Sequence, residues 1–229
     1  MREFEKKKVL VVGLGKSGVA AARFCAERGA LVKAVDSKPE GEMRRQVESL
    51  SGLPIEFSFG EGETQRFAGE ELVVVSPGVP SESSLVKAAK EGGAEVVGEM
   101  ELAVREIKKP ILAVTGTNGK TTTTTLIGHL LRGAGVRACV AGNIGTPLLD
   151  VIEEAQASDM VVIEVSSFQI ETSPSLAPEI SVLLNVTPDH LDRHHSFESY
   201  SECKALLVKR TAAGRSEEHT SELQSLAYL

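Results

Sequence analysis

An α/β fold, with parallel sheets covered by helices and divided between two domains, is predicted for this chain by three observations. Short β-branched apolar runs alternate with longer stretches of mixed polarity through most of the sequence. Two of those runs end in glycine-rich loops, VVGLGKSG at 11–18 and VTGTNGKTT at 114–122, about a hundred residues apart. Finally, 229 residues with 41% hydrophobic content suffice for one large or two small domains, and no apolar run approaches a bilayer span.

In chain order, KVLVVG, SGVAAARFCAERG and LVKAVD read as strand, helix and strand, with Gly29 as the helix stop. PIEFSF and ELVVVSPG are the next strands, and SESSLVKAAKEG is a helix for which Ser81 is the expected N-cap. AEVVG is a short strand and EMELAVREIKK a charged helix. A second series then follows: PILAVTG, the helix TTTTTLIGHLLRGAG, and the strands VRACVAG, DMVVIEVSS and EISVLLNVTPDH. Strand, helix, strand repeated in this way implies parallel pairing. The expected domains are 1–93 and 94–214. The last fifteen residues, RSEEHTSELQSLAYL, break the pattern, and Arg215 to Ser225 match the translation of a common sequencing adapter. Residues 215–229 are therefore expected to be a non-native tail.

Net charge is −7 with no long basic run, and aromatics are 4%, so neither a nucleic-acid surface nor a base-stacking platform is expected. The start, MREFEKKKVLVV, lacks a signal-peptide pattern, and Cys25, Cys139 and Cys203 are few and widely spaced. A cytoplasmic protein with free thiols fits both features.

Gly13, Gly15 and Gly18 match G-x-G-x-x-G between a strand and a helix, and Asp36 closes the next strand. Such glycines let backbone N–H groups approach a diphosphate at the positive end of the helix, and the acid is placed to accept bonds from sugar hydroxyls. NAD is the default ligand of this pattern, and a turn needed only for packing is the bland reading. Too little chain follows for a second mononucleotide half before another phosphate loop begins.

That second loop runs Gly116-Thr117-Asn118-Gly119-Lys120-Thr121-Thr122, ending in Gly-Lys-Thr after an apolar strand and before a helix. Its glycine spacing is shorter than in the common P-loop, but the working parts are present. Backbone N–H groups can nest a polyphosphate, Lys120 can meet its terminal phosphates, and the Thr121 hydroxyl suits Mg²⁺.

TGTNGKTT, together with GNIG (142–145), EVSSFQIE (164–171) and NVTPDHLDRH (185–194), resembles the Mur ligases, and more distantly the folylpolyglutamate synthases. In that order these stretches are most similar to the members that join D-glutamate to UDP-N-acetylmuramoyl-L-alanine, from about Lys7 to Lys209. The resemblance implies a Rossmann-like UDP-substrate domain followed by a P-loop Mur-ligase central domain, here incomplete. It makes Gly15, Lys16, Ser17, Asp36, Ser37 and the turn Ser76-Pro77-Gly78 candidate UDP contacts, with NAD as the alternative. It also places Asn143 near the reacting end of the substrate. Glu164 and His190 match metal-binding positions, with Thr121 beside them, for Mg²⁺ or Mn²⁺. Lys204 matches a lysine carried as a carbamate that helps bind a second Mg²⁺. Without the resemblance, Glu164 would be an ordinary exposed acid, His190 a capping or buried structural histidine, and Lys204 a solvated helix lysine.

The implied chemistry is peptidoglycan precursor synthesis by a monomeric enzyme. The γ-phosphoryl group of ATP activates the alanyl carboxylate as an acyl phosphate, and the amine of D-glutamate displaces phosphate. Lys120, Glu164, His190 and Lys204 are its expected catalytic residues. A third family domain that binds the amino acid finds no counterpart in this chain, so the chain alone is expected to have little or no ligase activity. Another ligase of the family, a non-catalytic nucleotide-binding module and an NAD oxidoreductase are the competing readings. No hydride-transfer constellation supports the last of these.

Overall fold

The computed structural model describes residues 3–62, 66–80, 82–143 and 145–211. Two compact units are present: Met1–Glu106 with Thr146–Asp150, and Ile107–Gly145 with Val151–Leu229.

The first unit is a five-stranded parallel sheet. Its strands are β1 (Lys8–Val12), β2 (Leu31–Asp36), β3 (Ile55–Phe59), β4 (Leu72–Val75) and β5 (Glu95–Gly98), in the spatial order β3-β2-β1-β4-β5. The runs KVLVV and LVVV have apolar side chains pointing to both faces, and both faces are buried, as a helix-covered parallel sheet requires. Helices α1 (Lys16–Glu27), α2 (Glu40–Ser49), α3 (Ser84–Glu91) and α4 (Glu99–Glu106) complete the unit. Leu10, Val12, Val73 and Val75 of the sheet pack with Leu85, Val86 and Ala89 of α3. The chain reverses direction across the sheet between β1 and β4, so the loops leaving their carboxyl ends flank the crevice where open α/β sheets bind ligands.

Two expectations change here. AEVVG pairs with β4, from Leu72↔Glu95 to Val75↔Gly98, so the boundary expected at 93/94 falls inside this sheet and the unit runs on through α4. The cap of α3 is Ser83, whose side chain accepts from Val86 N, while Ser81 lies outside the described residues. The segment Thr146–Asp150 packs with this unit because Glu99 accepts from Leu149 N at 2.7 Å and Arg23 pairs with Asp150 at 2.8 Å.

The second unit contains β6 (Ile111–Thr115), β7 (Ala138–Gly142), β8 (Met160–Glu164) and β9 (Ile180–Leu183), all parallel, in the order β7-β8-β6-β9. Its helices are α5 (Lys120–Gly133), α6 (Ile152–Ala157), α7 (Ser167–Glu171), α8 (Leu191–His194) and α9 (Phe197–Lys209). The five threonines lie inside α5, as read from the sequence, and Thr124 is buried. A Cβ on Gly128 would fall 2.3 Å from a Val140 methyl, so a residue without a side chain is what lets α5 lie close against β7. Strand β9 is an edge of this sheet and is only partly buried. The expected tail at 215–229 lies outside the described residues.

Candidate functional site

The first glycine loop opens on a cavity of about 550 Å³. Gly15, Lys16, Ser17, Asp36, Ser37, Ser76, Pro77 and Gly78, all expected substrate contacts, line it. Gly15 is the N-cap of α1, with no side-chain cap and no acid in the first turn, so the positive end of the helix faces the cavity. A Cβ on Gly18 would stand 1.8 Å from Gly13 O, so the third glycine of the motif serves close packing of helix on loop. Ser76 Oγ donates to Gly13 O at 2.7 Å and ties the turn after β4 to the loop after β1. Asp36 is buried, and its two oxygens accept from Leu14 N at 2.7 Å and Lys38 N at 3.0 Å. Its first role is thus to shape the loop, with the second lone pair of each oxygen left for a ligand hydroxyl.

In the second unit the functional groups gather where β6, β7, β8 and β9 end. Glu164, the last residue of β8, is 2% exposed. Thr121 Oγ1, in the first turn of α5, donates to Glu164 Oε2 at 2.7 Å, and Asn143 Nδ2, just past β7, donates to Oε1 at 2.7 Å. Gly142 makes this approach possible. Its φ is +104°, and a Cβ there would lie 2.3 Å from Glu164 O, while Asn143 N donates to that same oxygen at 2.9 Å.

The loop itself is gripped by the segment after β9. Thr117 N donates to Asn185 O at 3.0 Å, and Asn118 N to Asn185 Oδ1 at 2.9 Å. Thr117 Oγ1 accepts from Thr187 N at 3.0 Å and lies 3.1 Å from the Tyr200 hydroxyl. Gly119 caps α5 in the left-handed region, and Lys120 Nζ donates to Gly116 O at 3.0 Å and Thr117 O at 2.8 Å, which holds the ammonium over the loop.

Lys204 is not a solvated helix lysine. It is 2% exposed, and Nζ donates to Gly116 O at 3.0 Å and Thr115 Oγ1 at 3.4 Å, with the Tyr200 ring 4.7 Å away. Burial, followed by the charge of Lys120, pushes its pKa down to about 8, so a large share of the amine is neutral in mildly alkaline solution.

His190 is not a buried structural histidine, and it caps a helix by position alone. It occupies the N-cap position of α8 without a side-chain cap bond, and its side chain is 51% exposed, beside Asp189 at 3.5 Å and the Phe168 ring at 5.2 Å. Among the described residues no hydrogen bond joins it to Glu164 or Thr121.

The Thr121 hydroxyl and the Glu164 carboxylate are hard oxygen donors in contact, which fits Mg²⁺. Asn185, Thr187 and Tyr200 are positioning residues that sequence reasoning assigned no role. Asn185 and Thr187 lie in NVTPDHLDRH, one of the stretches that carry the resemblance, whereas Tyr200 stands in α9 with no local signal.

Two family descriptions match the chain: "Mur ligase MurD-like, N-terminal domain" over residues 7–98 and "Mur ligase middle domain" over residues 114–216. The UDP-N-acetylmuramoylalanine–D-glutamate ligase of Caldanaerobacter subterraneus subsp. tengcongensis is 49% identical over 207 residues, which are 90% of this chain and 46% of that protein. The protein of the same name from Geobacter metallireducens is 46% identical over 207 residues, again 90% and 46%. The chain thus spans a little under half the length of these curated relatives. Among solved structures, a UDP-N-acetylmuramate:L-alanyl-γ-D-glutamyl-meso-diaminopimelate ligase from Neisseria meningitides aligns with TM-score 0.61 at 19% identity, covering 97% of this chain and 75% of that one. A UDP-N-acetylmuramate–alanine ligase from Thermotoga maritima aligns with TM-score 0.52 at 24% identity, covering 89% and 47%. Both support the fold.

Proposed function

Because the chain belongs to the Mur ligase family, we propose that it carries the UDP-substrate and ATP sites of an amide-bond-forming ligase that adds D-glutamate to UDP-N-acetylmuramoyl-L-alanine. The observation that carries this reading is the Glu164 carboxylate held between Thr121 of the phosphate loop and Asn143 of GNIG. A P-loop serving nucleotide binding alone needs no second segment on its metal-side acid.

The first loop and Ser76-Pro77-Gly78 bind the uridine diphosphate handle, with the start of α1 facing its phosphates. N–H groups from Thr117 to Thr122 cradle the ATP phosphates, and Lys120 places its charge against the terminal ones. Mg²⁺, with Mn²⁺ as a substitute, supplies charge neutralisation for phosphoryl transfer there. Thr121 and Glu164 would hold it, with His190 a further ligand. Lys204, buried and partly neutral, has the amine form that adds CO₂ to give a carbamate and release a proton, creating an oxygen ligand for a second Mg²⁺. A carboxylate activated by phosphorylation then accepts the amine of D-glutamate, and phosphate leaves.

The reading implies a monomer acting in the cytoplasm on soluble substrates, in cell-wall synthesis. Among the described residues no helix is long and apolar enough to cross a membrane. ATP-dependent phosphate release by the full-length gene product, with UDP-N-acetylmuramoyl-L-alanine and either D- or L-glutamate, tests it. Release with D-glutamate alone is expected, and release with neither would return the first loop to its NAD and binding-module alternatives.

A further inference from the structure

Away from both loops, three side chains from three helices meet with the composition of a metal site. Glu171 ends α7, His194 ends α8 and Cys203 lies within α9. A ring nitrogen of His194, Sγ of Cys203 and a carboxylate oxygen of Glu171 all lie within 4.8 Å of one another. His194 Nδ1 is the nitrogen turned toward Glu171, 3.4 Å from Oε1. The other nitrogen, Nε2, is 2.9 Å from the Ser167 hydroxyl. That arrangement is the one a ligating histidine uses, one nitrogen toward the cation and the other fixed by a polar partner. Stacking on Phe168 with centroids 5.2 Å apart, and contact with Tyr200 at 5.2 Å, keep the ring from turning away. Cys203 is buried, and its thiol donates to Ser167 O at 3.2 Å, which places the sulfur beside the same residue that holds His194 until the proton leaves.

We propose that Glu171, His194 and Cys203 form a binding site for a Zn²⁺-class cation, with water as the fourth ligand. Thiolate with imidazole selects zinc or cobalt over magnesium, in contrast to the oxygen donors around Thr121. Metal–ligand lengths of about 2.0–2.3 Å place tetrahedral ligand atoms about 3.5 Å apart, so the widest separation closes by about 1 Å. Glu171 is the most exposed of the three ligands. On binding, the Cys203 S–H bond gives way to a metal–sulfur bond and its proton leaves to solvent. Cys203 immediately precedes Lys204, so the bound ion ties α7 and α8 to the turn of α9 that aims that amine.

Titrating the purified chain with Co²⁺ alone tests the site by spectroscopy, independently of ligase activity. A thiolate-to-cobalt charge-transfer band saturating at a single ion per chain, bleached by Zn²⁺, is expected. Cys203→Ser should abolish the band, and Glu171→Gln should weaken Co²⁺ affinity about tenfold or more. Cys25→Ala and Cys139→Ala should leave it unchanged. Far-ultraviolet circular dichroism establishes that each variant is folded. No band in the unaltered chain, or a band that persists in folded Cys203→Ser, overturns the proposal.

Discussion

Replacing Lys204 with methionine exposes how strongly the fold acts on that amine. Its pKa falls from an ordinary 10.5 to about 8, first through burial and then through Lys120. Between those values the folded chain binds fewer protons than the unfolded chain, so stability rises with pH across the window, and the full penalty is present below it. Linkage puts the cost of the buried ammonium at about 3 kcal/mol near pH 7 and about 1.5 kcal/mol near pH 9.5. Lys204→Met removes this titration. It also removes the hydrogen bonds to Gly116 and Thr115, a loss that to a first approximation is similar at both pH values. The slope is therefore diagnostic. From about pH 7 to about pH 9.5 the unaltered chain should gain roughly 2 kcal/mol on the variant, read from urea denaturation curves. Parallel pH profiles would refute the buried, depressed amine and with it the physical basis for a carbamate at this position.

Three further outcomes follow from the geometry. Glu99 is 3% exposed, and burial, opposed by the Leu149 N–H and reinforced by Asp150, pushes its carboxyl up to about 7. The folded chain then holds the extra proton between 4.5 and about 7, and stability falls as pH rises through that range. Glu99→Gln should therefore gain about 3 kcal/mol on the unaltered chain between about pH 4.5 and about pH 8 in the same denaturation assay. Gly142→Ala drives a Cβ into Glu164 O at a left-handed φ, and should cost about 3 kcal/mol or more together with ATP binding. Asp36→Asn turns an amide N–H₂ toward one of two backbone donors, and should cost about 2 kcal/mol and weaken uridine nucleotide binding at least tenfold on calorimetry, roughly the effect of one unsatisfied buried donor.

All nine strands of the described residues are legible in the sequence because each is a compact, mostly apolar run with turn residues near its ends. The first boundary is not, since AEVVG joins the first sheet by pairing residue for residue with a strand twenty-three positions earlier, a contact no local pattern carries. Short helices are equally silent. Helix α7 has five residues and stands on a capping box between Ser166 and Gln169, so SSFQIE is a folding signal as well as a family mark. Both glycine loops fall between a strand and a helix, as read from the sequence, yet the partners that set them are remote in sequence. Asp36 reaches Leu14, and Asn185 reaches Asn118. Lys204 shows the limit most clearly: without the resemblance YSECKALL gives a solvated helix lysine, and the packing of α9 against α7, α8 and β9 buries that lysine beneath the phosphate loop.

Calorimetric titration of the chain with UDP-N-acetylmuramoyl-L-alanine and, separately, with Mg²⁺·ATP tests the central claim that its two glycine loops hold different nucleotides. Asp36→Asn should weaken the uridine ligand at least tenfold and leave ATP unchanged, and Lys120→Ala should do the reverse. Loss of both ligands in either folded variant, or NAD binding at the first loop in place of the uridine nucleotide, would contradict the account.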